Sequence, residues 1–245
     1  MTLAQAWWPS LVLLLAGLVK GVIGLGLPAI GVGLIGLVMP PVQAAAILVV
    51  PSSVTNVWQL AAGPNFRGVF RRLWPLLICI LLGTYLGGGT LSGGNTAQIR
   101  LWLGIVLASY GVFGLLARRY RVQPRWENWL GPLVGLATGV VTTATGLFML
   151  PLVPYLAGLD GLDREDLVQA LGLSFTVSTL GLTVDLLRSH ALTQELLIAS
   201  CIAVLPALIG MQIGTVVRSR ISPLWFRRCF YGGMVGLGIE LVRHF

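Results

Sequence analysis

Long apolar runs alternate along the chain with short interruptions, most of them bearing arginine. They form eight blocks, at about residues 9–39, 42–62, 73–93, 98–117, 130–158, 167–187, 194–217 and 224–242. Six blocks have the length of one membrane crossing, for which about 20 apolar residues suffice. Blocks 9–39 and 130–158 are too long for that and are interrupted by Gly, Thr and Pro. No residue between Lys20 and Arg67 bears a formal charge, so that stretch alone can hold two crossings. The expected fold is an all-α integral membrane protein, a single transmembrane domain over residues 1–245.

The chain compared with itself gives a second layer of order. Gly17, Leu18 and Gly21 match Gly135, Leu136 and Gly139. Val42, Gln43, Ala44 and Ser52 match Val168, Gln169, Ala170 and Ser178, and further on Gly83, Gly87 and Arg100 match Gly210, Gly214 and Arg227. Residues 159–166 absorb the change in offset. The order is constant across a whole half, which predicts two repeats, about 9–118 and 130–243. Each is an interrupted or re-entrant segment followed by three transmembrane helices.

Arginine placement orients the repeats, because short cytoplasmic loops are enriched in Lys and Arg. If all eight blocks cross once, Arg218, Arg220, Arg227 and Arg228 lie opposite the clusters at 67–72 and 118–125. If the two interrupted blocks each enter and return, the three clusters share one side and only Arg100, Arg188 and Arg243 fall outside it. The second arrangement predicts inverted repeats with both termini on the outer face. The first residues lack the basic start of a cleaved signal peptide, so the N-terminus is read as retained.

Composition agrees: 56% of residues are hydrophobic and 10% charged, with a mean hydropathy of +0.88, where a soluble domain carries roughly 25% charged residues. The net charge of +8 sits between apolar runs, so it is assigned to loops facing anionic lipid, not to nucleic acid. Cys79, Cys201 and Cys229 lie within apolar blocks and share no metal-ligand spacing. Neither a metal nor another cofactor is expected.

The two interruptions are the candidate chemistry. In inverted-repeat transporters the substrate sits near the midplane at broken helices, where exposed N–H groups and the positive end of a half-helix suit an anion. The first break is Gly24-Leu25-Gly26-Leu27-Pro28, with Pro28 placed for the first turn of a new helix. The second is Thr142-Thr143-Ala144-Thr145-Gly146, whose hydroxyls can cap a helix or donate to an anion. The competing reading is a pair of kinks that ease packing. Lys20, the only lysine, either attracts the anion or snorkels to an interface. Gln43 and Gln169 open the blocks after the two breaks. Ser52, Ser53, Thr55, Asn56 and Gln59 form a polar run echoed by Ser174, Thr176, Ser178, Thr179 and Thr183. Ser52, Asn56 and Ser178 are its binding candidates, Asn56 being the most costly to bury. Asp185 is a possible proton-coupling carboxylate, although a pair with Arg188 three residues on is the simpler expectation. The Gly-xxx-Gly pairs Gly83/Gly87 and Gly210/Gly214, with Gly131, Gly135 and Gly139, are read as helix packing.

The segments Gly17–Gly26, Gly135–Gly139, Gly210–Gly214 and Pro223–Arg228, in this order, resemble the TauE/SafE sulfite exporter family, also called the 4-toluene sulfonate uptake permeases. The resemblance runs from about Gly17 to Leu241. It implies transport of sulfite, sulfonates such as sulfoacetate, or related small organic anions across a bacterial inner membrane. Many members have three consecutive glycines where this chain has Gly24-Leu25-Gly26, and Lys20 is a further departure. A homodimer and coupling to protons are compatible expectations. The alternatives are a non-transporting membrane subunit or assembly factor, a channel, for which polar residues are sparse, and an intramembrane enzyme. The last would want convergent His, Asp, Glu or Cys within the spans, and the sequence offers few.

Overall fold

The computed structural model describes residues 3–116, 121–218 and 223–243, and its elements are helical. The first long block folds as α1 (Leu3–Ile23) and α2 (Leu27–Val38), followed by α3 (Pro41–Ala61), α4 (Phe66–Leu86), the short α5 (Thr90–Gly93) and α6 (Thr96–Leu116). The other long block folds as α7 (Pro124–Thr145) and the short α8 (Leu152–Gly158), followed by α9 (Arg164–Arg188), α10 (Gln194–Val217) and α11 (Pro223–Arg243). Five segments are long and apolar enough to cross a membrane: α3, the α4–α5 stretch, α6, α9 and α10. Their outer faces expose residues such as Ile78, Leu82, Ile202, Leu205 and Ile209, while Lys20, Asn56 and Ser178 are buried. That is the polarity of a protein with hydrocarbon as its outer solvent.

Block boundaries shifted where charge stands inside a helix. The third block was expected at 73–93, yet α4 begins at Phe66 and ends at Leu86. Arg71 and Arg72 fall in its first turns, where Arg72 clamps Glu127 of α7 through Nε–Oε1 (2.5 Å) and Nη2–Oε2 (2.8 Å). Residues 87–93 leave the helix through Gly89, at φ 80°.

Glycine contacts fix how the helices pair. A methyl group at Gly17 or Gly21 would lie 2.1 Å from Ala207 O or Met211 O, and one at Gly210 or Gly214 would lie 2.0 Å from Leu14 O or Leu18 O. Each step of four along α1 is a step of four along α10, so these helices are parallel and in backbone contact. The same pattern joins α4 to α7: Gly135 and Gly139 meet Leu76 O and Ile80 O, and Gly83 meets Leu136 O. The first helix of each run of elements therefore packs against the other run, while α3 pairs with α9 and α6 with α11.

Further contacts give the remaining directions. Lys20 reaches Thr55 and Asn56, and Gly24 faces Gln59, so α3 is parallel to α1. Asn56 meets Thr179 and Leu60 meets Gly172, so α9 opposes α3. Thr84 faces Gly181 and Gly89 bonds Asp185, so α4 is parallel to α9. Gly26 and Gly33 meet Phe230 and Leu237, so α11 follows α2, whereas Gly104 against Leu241 and Gly111 against Tyr231 make α6 oppose α11.

One kink has a chemical remedy. Pro51 inside α3 has no N–H to donate to the carbonyl four residues back. Ser200 of α10 supplies that bond, its Oγ donating to Ile47 O (2.8 Å) while accepting from Val50 N (3.0 Å).

Candidate functional site

The first break is a tight reversal. Gly24 (φ 80°) and Gly26 (φ 111°) occupy the left-handed region that side chains avoid. Gly24 N donates to Lys20 O (2.7 Å), and α2 starts at Leu27 with Pro28 in its first turn. The expected break and helix restart are both present. The second break differs from the expected 142–146: Thr142, Thr143 and Thr145 stay within α7, and the chain leaves the helix only at Gly146 (φ 75°), followed by non-helical residues before α8.

Lys20 does not snorkel. It is buried at 3% exposure, and its Nζ donates to Thr55 Oγ1 (3.0 Å) and to Asn56 Oδ1. The directions of the surrounding bonds are then set. Thr55 passes its proton to Pro51 O (2.8 Å), and Asn56 Nδ2 donates to Thr179 Oγ1 (3.1 Å), which donates to Phe175 O (2.7 Å). The network joins α1, α3 and α9 and contains no carboxylate. The ion pairs among the described residues, Arg72–Glu127 and Arg121–Asp160, lie elsewhere. Thr55 and Thr179 belonged to the polar runs but not to the predicted site. Only the fold, by pairing α3 with α9, singles them out.

A small, mostly apolar pocket adjoins this network and brings the two breaks together: Pro28, Ser52, Gly146, Phe148, Thr179 and Leu182 are among its lining. Ser52 lies one turn before Asn56. Ser178 is fully buried, and among the described residues its Oγ, like that of Ser174 and like Gln59 Oε1, has no hydrogen-bond partner.

Other predicted residues take different places. Thr142 Oγ1 donates to Thr138 O (2.7 Å), Thr143 Oγ1 to Val140 O (3.0 Å) and Thr145 Oγ1 to Val141 O (2.7 Å). Their protons serve their own helix, and only lone pairs remain to offer. Thr145 Oγ1 does act at the helix end, accepting from Leu147 N (3.2 Å). Gln169 is a backbone clamp: Nε2 donates to Leu60 O and Gly63 O, and Oε1 accepts from Asn65 N. Gln43 is exposed in the first turn of α3, about 20 Å of helix from Asn56. The expected Asp185–Arg188 pair is absent from those ion pairs. Asp185 is buried and accepts from Gly89 N (2.8 Å), while Arg188 lies over the Tyr85 ring.

These features define a class: a multi-pass helical membrane protein with two interrupted segments meeting at a small pocket beside a buried polar cluster. The family described as Sulfite exporter TauE/SafE matches residues 10–241, and the chain belongs to that family. It is thus a member of a membrane transporter family and not an enzyme. No curated protein and no solved structure matches the chain.

Proposed function

We propose that this protein is a secondary transporter carrying a small anion of the sulfite or organosulfonate class across a bacterial inner membrane, with the anion bound beside Lys20. The observation that carries the reading is a buried lysine held only by neutral acceptors, Thr55 and Asn56. A cation inside a membrane protein needs a partner, and an anionic substrate supplies one. Gly24, Gly26 and Pro28 form the near wall of the proposed site. Ser52 and Ser178 flank it, and Thr142, Thr143, Thr145 and Gly146 belong to the wall from the second break. We assign Gln43 and Gln169 to the helix ends.

The two runs of elements are proposed as inverted repeats, residues 9–118 and 130–243. In support, α1, α3 and α6 run opposite to α7, α9 and α11, and α4 runs opposite to α10. Arg67, Arg71, Arg72, Arg121, Arg125, Arg164, Arg218, Arg227 and Arg228 then share one face, with Arg100, Arg188 and Arg243 on the other. Arg118, Arg119 and Arg220 lie outside the described residues. The arginine-rich face is assigned to the cytoplasm, which puts both termini outside.

The test is uptake of radiolabelled sulfite and sulfoacetate by proteoliposomes. Saturable flux that falls at least tenfold in Lys20→Met is expected. Absence of flux for any small anion would end the transporter reading, and undiminished flux in Lys20→Met would remove the anion from this site.

A further inference from the structure

The bond count at Lys20 carries the reading further. Nζ has two acceptors, Thr55 Oγ1 and Asn56 Oδ1. A neutral amine has two N–H bonds, and this environment satisfies both. An ammonium has three, and its third N–H and its charge have no acceptor among the described residues. Resting on the proposed anion site, we propose that Lys20 is the carrier of the coupling proton: the empty site holds the amine, and anion and proton enter together. The lone pair of Nζ takes a proton from the aqueous side, one N–H bond forms, no bond of the protein breaks, and the new N–H points to an anion oxygen. A monoanion then crosses without net charge.

The groups around Lys20 fit this. Helices α2 and α3 contain no titratable side chain. On α10, Gly21 meets Met211 and Thr215, so Glu195 and Cys201 lie turns away towards the opposite end. Among the described residues the nearest charge at that end of α10 is Arg218, just past its last turn and near enough to Arg164 of α9 for the two to repel. Both are cations, and neither neutralises an ammonium. From α11, Phe230 closes against Gly26 and Tyr231 is engaged by Tyr110, with Arg227 over its ring. Arg228, Cys229, Glu240 and Arg243 fall on exposed turns of that helix. On α9, Asp166 bonds Asn65 and Asp185 bonds Gly89, while Glu165 and Arg188 are at the two ends. Arginine at this position could not perform the exchange, since it keeps its proton throughout.

Methanesulfonate and benzenesulfonate, both fully ionised near neutral pH, are the probes. Purified protein in weakly buffered detergent is titrated with each while a pH indicator reads proton uptake. The expected result is uptake approaching one proton per anion bound, by linkage, retained in Asp185→Asn and absent, per anion bound, in Lys20→Arg. Binding to wild type without proton uptake overturns the proposal and leaves the anion site standing, and needs no variant to fold. Proton uptake lost in Asp185→Asn but kept in Lys20→Arg overturns it in favour of the carboxylate. If neither sulfonate binds, both this inference and the anion site fall.

Discussion

Asn56 is the residue on which the polar cluster turns. Its amide accepts from Lys20 and donates to Thr179, so one side chain links α1, α3 and α9. Asn56→Leu removes both bonds and leaves Lys20 with a single acceptor, and we expect anion affinity to fall at least tenfold, about 1.4 kcal/mol, as read by equilibrium binding. Ser200 makes a different point. Its hydroxyl repairs the backbone at Pro51, so Ser200→Ala leaves Ile47 O without its donor and should cost about 1–3 kcal/mol, seen as a lower unfolding temperature with substrate selectivity unchanged. Lys20, Asn56 and the polar runs stood out in the sequence because charge and amide are scarce among apolar residues. Ser200 did not, since its role depends on a proline 149 positions earlier that only packing brings alongside. The threonines just before the second break were visible too, but the sequence could not say that they remain in α7 with their protons turned back onto that helix.

At the scale of elements, the breaks were legible because Gly and Pro punctuate an apolar run in few ways; the first fell where expected, whereas the second starts only at Gly146, with Thr142, Thr143 and Thr145 still inside α7 because their hydroxyls bond back onto that helix. Helix ends were less so. In the sequence, charge marks the edge of a block, whereas Arg72 belongs inside α4, bonded to Glu127. The small-residue stripes were read as packing surfaces, but their partners were not foreseeable: similar stripes on α1 and α10 do not announce that these two helices meet. Gly210→Leu places a side chain on Leu14 O and should separate α10 from α1, with loss of thermal stability by at least about 1–3 kcal/mol. Gly146→Ala faces both its left-handed φ and the Ala45 methyl at 3.1 Å, and about 1–2 kcal/mol is expected from the backbone alone. Circular dichroism melts of purified protein in one detergent measure both.

For the whole molecule, the proposed orientation has a direct readout. A phosphatase reporter fused after Phe245 should be active outside the cytoplasm, and a cysteine introduced at Arg121 should react only with a thiol reagent that has crossed the membrane. A cytoplasmic C-terminus would reject the assignment of faces. Arginine placement suggests this arrangement without any contact, because short cytoplasmic loops are enriched in Lys and Arg, and the reporter is its test. How the two runs of helices interlock was beyond that placement.

That interlocking bears on how the chain is made. Helix α1 leaves the ribosome first, yet the backbone groove it fills belongs to α10, among the last to emerge; α7 finds α4 already waiting. During synthesis the first hairpin must therefore remain unfinished, its glycine face towards lipid or an insertion factor, until nearly the whole chain is in the bilayer. Cutting the connection near residue 120 and producing the two parts together should restore a folded protein, whereas either part produced alone should be degraded.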